Sequence, residues 1–210
     1  GKDLVARSLH GLSPRADKPF VVLNCATITQ ETLEHRLFGA QGAARAAESG
    51  TLFLDELAAC PGPVQSQLLH FVETGHLPGG GAPIELRLIA ATNVNLPQAI
   101  SEGAFREDLF FRLAPLQIAL TPLRARQADI VPLLTHFVSE YASAHGLEPP
   151  TPSPTDLRDA LAHGWPGNVR EVRAVALRWV LGVRRGVLEI SHAIAFSESA
   201  PAPKTLRESV

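Results

Sequence analysis

The amino-acid sequence predicts an α/β domain built on a parallel sheet, followed by a small domain made of helices alone. In the first part of the chain, short apolar runs typical of buried strands alternate with segments of helical periodicity. From about Leu123 onward the pattern is helical only. We therefore expect the α/β domain over residues 1–122 and the helical domain over residues 123–193. Residues 194–210, which include a Pro-, Ala- and Ser-rich stretch, we expect to be a linker.

The strands are predicted from apolar runs that end at polar or turn-forming residues, and the helices from apolar residues that recur every three or four positions. The predicted strands are Phe20–Leu23, Thr51–Leu54, Leu86–Ala91 and Leu116–Leu120. The predicted helices of this domain follow Lys2, span Glu31–Phe38, and contain Val64, Leu68, Phe71 and Val72.

In the helical domain, two sequence signals predict where helices begin. Ser153, Pro154 and Asp156 are typical of a helix start, with a capping hydroxyl, a proline at the first helical position and an acid in the first turn. Asn168, followed three residues later by Glu171, predicts a second capped helix that ends near Leu181. Before both, the amphipathic stretch Ile130–Tyr141 predicts a helix.

Composition narrows the possible functions. Lys and Arg number 19 against 21 Asp and Glu, and this balance argues against the segment being the part that grips nucleic acid. No apolar run approaches the length of a membrane span, so we expect no membrane contact and a cytoplasmic location. Cys25 and Cys60 lack metal-ligand spacing and are too few for a disulfide framework, so we expect reduced thiols. The sequence begins at Gly1 without a methionine, and we expect it to be part of a longer protein.

The strongest chemical signal is the segment Thr51–Glu56, an apolar strand that ends in two carboxylates. Ligands of open α/β folds bind at the carboxyl edge of the parallel strands, which is where these groups are expected to lie. Asp55 would hold Mg²⁺ and Glu56 would act as the general base toward water in phosphoryl transfer. The alternative is an acidic helix cap that follows a core strand.

Two further signals are weak when each is taken alone. Gly1-Lys2 before a helix is typical of the end of a phosphate-binding loop, but this dipeptide is common. Asn93, after the third predicted strand, has a side-chain amide that can bond the attacking water or the outer phosphate, although a turn asparagine explains it equally well.

Three arginines are also candidates. Arg106 and Arg112 are candidates for stabilising the transferring phosphoryl group of a neighbouring subunit, whereas local ion pairs with Glu107 and Asp108 are the plainer interpretation. Arg170 lies in the first turn of a predicted helix, where it can meet a phosphate or remain an exposed side chain.

The order of these signals, together with the blocks "PFVVLNCA", "ETLEHRLFG", "GTLFLDE", "LRLIAATN", "FREDLFFRL", "PLRAR" and "GWPGNVRE", resembles the AAA+ ATPase domain of bacterial sigma-54-dependent transcription activators. The resemblance covers nearly the whole chain. It implies a P-loop AAA+ domain, with a three-layer parallel sheet, followed by a small all-helical lid. It also implies ATP and Mg²⁺ as substrate and cofactor, and a homo-oligomeric ring, hexamer or heptamer, that acts on sigma-54 RNA polymerase.

The resemblance implies a role for each matching residue. Gly1, Lys2 and Asp3 match the phosphate loop, with Asp3 where the family usually has Glu. Asp55 and Glu56 match the magnesium-binding and water-activating pair, and Asn24 matches a residue that contacts this glutamate. The remaining matches are Asn93 as sensor, Arg106 and Arg112 as fingers that act across a subunit boundary, and Arg170 as the arginine of the lid. The closing "KTLRESV" resembles the lead-in to a DNA-binding domain, so DNA would be bound outside this chain.

One departure leaves two functions open. Between Gly39 and Gly50 the family normally has a long hairpin whose tip, GAFTGA, touches sigma-54, and here only residues 40–49 lie between them. We expect hairpin residues to be absent from this sequence rather than deleted from the protein. The first function is an ATPase that remodels sigma-54 RNA polymerase. The alternative is a nucleotide-responsive oligomerisation or regulatory module that does not engage sigma-54.

Overall fold

The computed structural model describes residues 1–26, 29–183 and 189–198, which fall into two units that divide between Ala119 and Leu120. The strands of the first unit are β1 (Phe20–Asn24), β2 (Thr51–Asp55) and β3 (Arg87–Ala90). Its helices are α1 (Lys2–Gly11), α2 (Gln30–Phe38), α3 (Ala43–Ala46), α4 (Gly62–Thr74), α5 (Leu96–Ser101) and α6 (Glu107–Leu113). The helices of the second unit are α7 (Ile130–Ala144), α8 (Pro154–Ala162), α9 (Asn168–Val183) and α10 (Ile190–Glu198).

The three described strands form a parallel sheet in the order β1-β2-β3, so β2 is paired on both sides. Residues Thr51–Leu54 of β2 are no more than 1% exposed, as expected for an apolar central strand of a parallel sheet. Leu52 and Leu54 point into the main core, which they share with residues of α2 and α4. This core covers one face of the sheet.

The alternate residues of β2 face α1 on the other side of the sheet. Phe53 stacks on Phe20 of β1 with ring centroids 6.2 Å apart, and Phe20 lies 5.1 Å from the ring of His10 in α1. His10 Nδ1 lies 2.9 Å from Thr51 Oγ1. Because side chains alternate along a strand, β2 is covered on both faces and the unit has three layers.

The segment Ala40–Ser49 connects α2 to β2 through the short helix α3. Ala44 and Ala47 are fully buried in the main core. The Ser49 N–H donates to Glu85 O at 2.8 Å, and the Gly50 N–H donates to Ala47 O at 2.8 Å. This connection is therefore packed against the main core and hydrogen-bonded where it meets β2.

The expected strand at Leu116–Leu120 is wrong, because the described structure shows no strand there. Leu116, Ile118 and Leu120 are 79%, 53% and 46% exposed, respectively. A strand needs a hydrogen-bonded neighbour, and the described sheet pairs only β1, β2 and β3. Alternating apolar residues therefore did not produce a strand where no partner strand is available.

The second unit packs around the two tryptophans, Trp165 and Trp179, which are 0% and 2% exposed. The helix start at Ser153 is confirmed, because Ser153 Oγ accepts from the Asp156 N–H and the Asp156 carboxylate accepts from the Ser153 N–H, with Pro154 in the first turn. The α7 prediction is confirmed and the helix extends three residues further, to Ala144.

Helix α10 runs through the predicted linker boundary at residue 193, and residues 194–198 are helical rather than extended linker. The rest of that linker, residues 199–210, lies outside the described residues. Among the described helices, none combines the length and the apolar character that a membrane crossing requires.

Candidate nucleotide site

The parallel pairing of β1 with β2 fixes where the two carboxylates lie. Asn24 and Asp55 are register partners at the carboxyl end of the two strands, and the Cys25 N–H donates to Asp55 O at 2.9 Å. The side chains of Asp55 and Glu56 are 21% and 23% exposed, so both are half-buried and reachable from solvent. This edge of the sheet is where a ligand of an open α/β fold binds.

Glu56 has a left-handed backbone, with φ 53° and ψ 45°, which is uncommon for a residue other than glycine. Two hydrogen bonds hold it there: the Glu56 N–H donates to Asp55 Oδ1 at 3.0 Å, and the Leu57 N–H donates to Ala91 O at 2.9 Å. Such a conformation costs on the order of 1 kcal/mol or more and is concentrated at functional sites. The turn therefore fixes the direction in which the Glu56 carboxylate leaves the strand.

Lys2 brings a positive charge to both carboxylates. Its Nζ lies 3.0 Å from Glu56 Oε1 and 3.8 Å from Asp55 Oδ1. Lys2 is the first residue of α1, so its ammonium lies beside the N-terminus of a helix that points at the carboxyl edge of β2. We call Lys2, Asp55 and Glu56 the carboxylate cluster.

Gly1 and Asp3 flank Lys2 but do not join the cluster. Gly1 is the cap residue of α1, and its carbonyl accepts from the Val5 N–H at 3.0 Å. Asp3 Oδ2 accepts from Arg7 Nε at 3.0 Å, and both side chains are more than half exposed. Asp3 is thus paired along its own helix.

The carboxylate cluster fits Mg²⁺ better than it fits a metal held by protein ligands alone. Within the described residues there is no group of three or more His, Cys, Asp and Glu side chains that could hold a metal ion. Mg²⁺ is usually bound through one or two carboxylates together with the phosphate oxygens of a substrate. Asp55 with Glu56 supplies this number of carboxylates.

The two asparagines lie at the same edge of the sheet as the cluster but do not bond to it. Asn24 Oδ1 accepts from the Ala26 N–H at 2.8 Å, so the amide is engaged in its own turn, whereas Glu56 Oε1 is bound by Lys2. The contact between Asn24 and Glu56 that the resemblance implied is therefore not formed in the described residues. Asn93 is exposed, three residues beyond the end of β3.

The structure places Arg106 and Arg112 at opposite ends of α6. Arg106 caps the helix, and its guanidinium forms two hydrogen bonds with Asp108, Nε to Oδ1 at 3.0 Å and Nη2 to Oδ2 at 2.6 Å. These bonds raise the pKa of Arg106 and lower the pKa of Asp108. The local ion pair expected for Arg106 is thus present in the isolated chain, while Arg112 is exposed in the last turn.

Arg170 belongs to the second unit, where it is exposed in the first turn of α9. The turn before it is rigid, because Trp165 Nε1 donates to Ala160 O at 2.8 Å and the Glu171 carboxylate binds both His163 Nε2 at 2.7 Å and the Gly167 N–H at 2.8 Å.

The cap predicted at Asn168 needs correction. The helix begins there, but Asn168 has φ 52° and its Oδ1 accepts from the Leu123 N–H at 2.7 Å. The amide oxygen of Asn168 is therefore used by Leu123, and Asn168 ties α9 to the segment at Leu123.

Two protein-family models match this chain. The model of the sigma-54 interaction domain matches residues 1–119, and that of the AAA+ ATPase lid domain matches residues 124–206. This chain is a member of the sigma-54 interaction domain family. The P-loop AAA+ fold with a helical lid, expected from the sequence, is confirmed.

Full-length relatives of this sigma-54 interaction domain are transcriptional regulators. The chain is 40% identical over 205 residues to the sigma54-dependent transcriptional regulator SfnR of Pseudomonas fluorescens, covering 90% of the chain and 56% of the relative. It is 41% identical over 202 residues to the DNA-binding transcriptional regulator NtrC of Escherichia coli, covering 89% and 43%. The chain therefore spans about half the length of these relatives.

A solved structure of similar fold is NtrX from Brucella abortus in complex with ADP. It has a TM-score of 0.83 and 38% identity, and the match covers 88% of this sigma-54 interaction domain and 44% of the NtrX chain. NtrX in complex with ATP gives the same TM-score and identity.

Sequence reasoning missed two features of this sigma-54 interaction domain. The first is Gln65, which is 2% exposed and hydrogen-bonded to three backbone groups. The sequence did carry a signal for it, because this glutamine stands beside Val64 and Leu68 on the apolar face of a predicted helix. The two thiols, Cys25 and Cys60, lie against each other in the core. Their mutual hydrogen bond and then burial raise the pKa of Cys25, while the same hydrogen bond lowers the pKa of Cys60.

Proposed function

We propose that this domain hydrolyses ATP and uses the energy to remodel sigma-54 RNA polymerase, as part of a longer DNA-binding regulator. The observation that carries the proposal is the carboxylate cluster, in which Lys2 lies 3.0 Å from Glu56 and 3.8 Å from Asp55 at the carboxyl edge of the sheet. The match to the sigma-54 interaction domain supports it, and so do the solved complexes of NtrX with ADP and ATP.

Each member of the cluster has a distinct role in this proposal. Lys2, at the N-terminus of α1, binds the outer phosphates together with backbone N–H groups there, including those of Gly1 and Asp3. Asp55 would hold Mg²⁺, which would supply charge neutralisation to the bound phosphates. Glu56 orients the attacking water and accepts its proton, and the backbone turn fixes the direction of its carboxylate.

The residues outside the cluster complete the site in an assembled ring. Asn93 bonds the attacking water or the outer phosphate from the loop after β3, and Asn24 senses the state of the site beside Asp55. Arg170 contacts the nucleotide from the lid. Arg112, exposed on α6, and Arg106 act on the nucleotide of a neighbouring subunit, where such arginines contribute about 10³–10⁵ in rate.

The alternative is a nucleotide-responsive oligomerisation module that does not engage sigma-54. Its ground is the sequence, in which only residues 40–49 lie between Gly39 and Gly50, where the family normally has the hairpin that contacts sigma-54. The family match favours the first function. Co-purification of the full-length protein with sigma-54 in the presence of ADP and a γ-phosphate mimic separates the two functions. Retention of sigma-54 supports remodelling, and its absence supports the alternative.

The hydrolysis itself is tested by Glu56→Gln in the full-length protein. This variant keeps the size of the side chain and removes the base, so we expect ATP binding near the wild-type level and hydrolysis reduced by about 10²-fold or more. The matched control is Glu85→Gln, because Glu85 is 86% exposed and pairs with Arg15 at the surface of the same unit. Hydrolysis by Glu56→Gln at the rate of the control would refute the assignment.

A further inference from the structure

Gln65 lies on the buried face of α4, between the carboxylate cluster and α6. Its side chain is 2% exposed, and its neighbours Val64 and Leu68 are fully buried. An amide in such a position must find hydrogen-bond partners, because an unpaired polar group in an apolar core is strongly destabilising.

Its three partners come from two separate parts of the chain. Gln65 Nε2 donates to Cys60 O at 2.8 Å and to Ala104 O at 3.0 Å, and Gln65 Oε1 accepts from the Arg106 N–H at 2.9 Å. Both amide hydrogens and the carbonyl oxygen are therefore used. One side chain holds the backbone on both sides of Phe105.

The next residue on α4 holds the side chain of the same arginine. Ser66 Oγ accepts from Arg106 Nη1 at 3.2 Å, while Asp108 binds the other side of the guanidinium. The first turn of α4 thus fixes both the backbone and the direction of Arg106.

The other end of the link reaches the carboxylate cluster. Cys60 ends the short 3-10 turn Leu57–Ala59, whose cap is Glu56, and the Cys60 N–H donates to Leu57 O at 3.0 Å. Gln65 therefore connects the turn that follows Glu56 with the segment that presents Arg106.

We propose that Gln65 is a positioning residue for Arg106, which it holds in place for the nucleotide of a neighbouring subunit. This inference rests on the proposed function, in which Arg106 acts across a subunit boundary. A finger displaced by about 1 Å loses on the order of 10² in rate. Hydrolysis at a given site should therefore require Gln65 in the subunit that provides Arg106, and much less in the subunit that binds the nucleotide.

The test uses Gln65→Met, which keeps the length of the side chain and removes all three hydrogen bonds. We expect hydrolysis to fall about 10- to 100-fold in the full-length protein while the Kd for ATP is unchanged. Gln67→Met is the matched control, since Gln67 is a half-buried amide on the same helix without these bonds, and it should hydrolyse ATP at the wild-type rate.

Mixed assemblies separate positioning from a general structural role. Hydrolysis should recover when Gln65→Met subunits are mixed with Glu56→Gln subunits. The Gln65→Met subunit then provides the intact Glu56, and its neighbour provides a well-placed Arg106. Hydrolysis should not recover when Gln65→Met subunits are mixed with Arg106→Ala subunits, because neither interface then has a well-placed finger. The recovery also shows that Gln65→Met subunits fold and assemble.

Other patterns overturn the inference. Recovery with Arg106→Ala but not with Glu56→Gln would mean that Gln65 serves the Glu56 turn of its own subunit. Recovery with both, or with neither, would mean that it has no specific role toward Arg106. A mixture of Arg106→Ala with Glu56→Gln is the control for the proposed function. If that mixture fails to recover while Glu56→Gln alone is inactive, the action of Arg106 across subunits is refuted and Glu56 keeps its role.

Discussion

Replacement of Asp156 by alanine should destabilise the helical unit by a predictable amount. The carboxylate is 5% exposed and accepts three hydrogen bonds: from the Ser153 N–H at 2.9 Å, from Ser153 Oγ at 2.7 Å and from the Ile190 N–H at 2.8 Å. Asp156 therefore completes the capping box that Ser153 begins at α8, and it also ties the start of α10 to this helix. In Asp156→Ala, Ser153 is exposed and can bond to water, but Ile190 is fully buried and its N–H loses its partner.

The magnitude follows from these contacts. Loss of a partner for a buried N–H costs about 1–3 kcal/mol, and loss of the carboxylate's half of the capping box adds about 1 kcal/mol. We expect the free energy of unfolding to fall by about 2–4 kcal/mol at pH 7 in Asp156→Ala. The nearby Asp159→Ala on the same helix, at a half-buried position, should change it by less than about 0.5 kcal/mol.

The effect should depend on pH in one direction. Burial alone would raise the pKa of Asp156, but the hydrogen bonds from Ile190 and Ser153 outweigh it and hold the pKa below its ordinary value of 3.8. A carboxylate with a lowered pKa stabilises the fold above its unfolded-state pKa, and this contribution is lost as the pH falls through the folded-state pKa. The difference between wild type and Asp156→Ala should therefore be constant near neutral pH and narrow below about pH 4.

Tryptophan fluorescence during urea unfolding measures this stability selectively. The chain has two tryptophans, and both Trp165 and Trp179 are buried in the core of the helical unit. A loss smaller than 1 kcal/mol at pH 7, or a difference that widens in acid, would refute the reasoning from the contacts of Asp156.

Two further predictions concern the α/β unit. Gly50→Ala should destabilise this unit by about 1–3 kcal/mol, because a Cβ there would clash with the backbone oxygen of Pro19. Circular dichroism during thermal unfolding measures the loss. Gly62→Ala, where a Cβ meets nothing within 4 Å, should unfold like wild type. Cys25 and Cys60 are 2% and 3% exposed, so a maleimide should label them far more slowly in the native protein than in urea; equal labelling rates by mass spectrometry would contradict the buried positions.

Local pattern was sufficient where the local interactions also determine the structure. The first two strands were predicted to within one residue, since β1 and β2 are short apolar runs that end at polar residues. The Ser153 capping box was predicted because both partners lie three residues apart in one segment. In such cases the spacing of the residues in the sequence is enough to predict that they are in contact.

Features that depend on distant residues were missed or wrong. Leu116–Leu120 has the alternation of a strand, but whether a strand forms depends on a neighbour that no local pattern reveals. Asn168 has the residue type of a cap, yet its amide bonds to Leu123, 45 residues away. Gln65 bonds to Ala104 and Arg106, 39 and 41 residues away, so its role could be seen only in the folded chain.

The left-handed backbone of Glu56 has a consequence for how this domain tolerates mutation. Glycine adopts φ near 53° without strain, so Glu56→Gly would relieve about 1 kcal/mol. Against this stands the loss of a partly exposed ion pair with Lys2, worth at most about 1 kcal/mol. The two effects nearly cancel, and a selection for folding or expression would therefore not distinguish Glu56 from glycine. Only a selection for turnover could favour the glutamate, so a library sorted by stability alone would not be expected to enrich glutamate over glycine at this position.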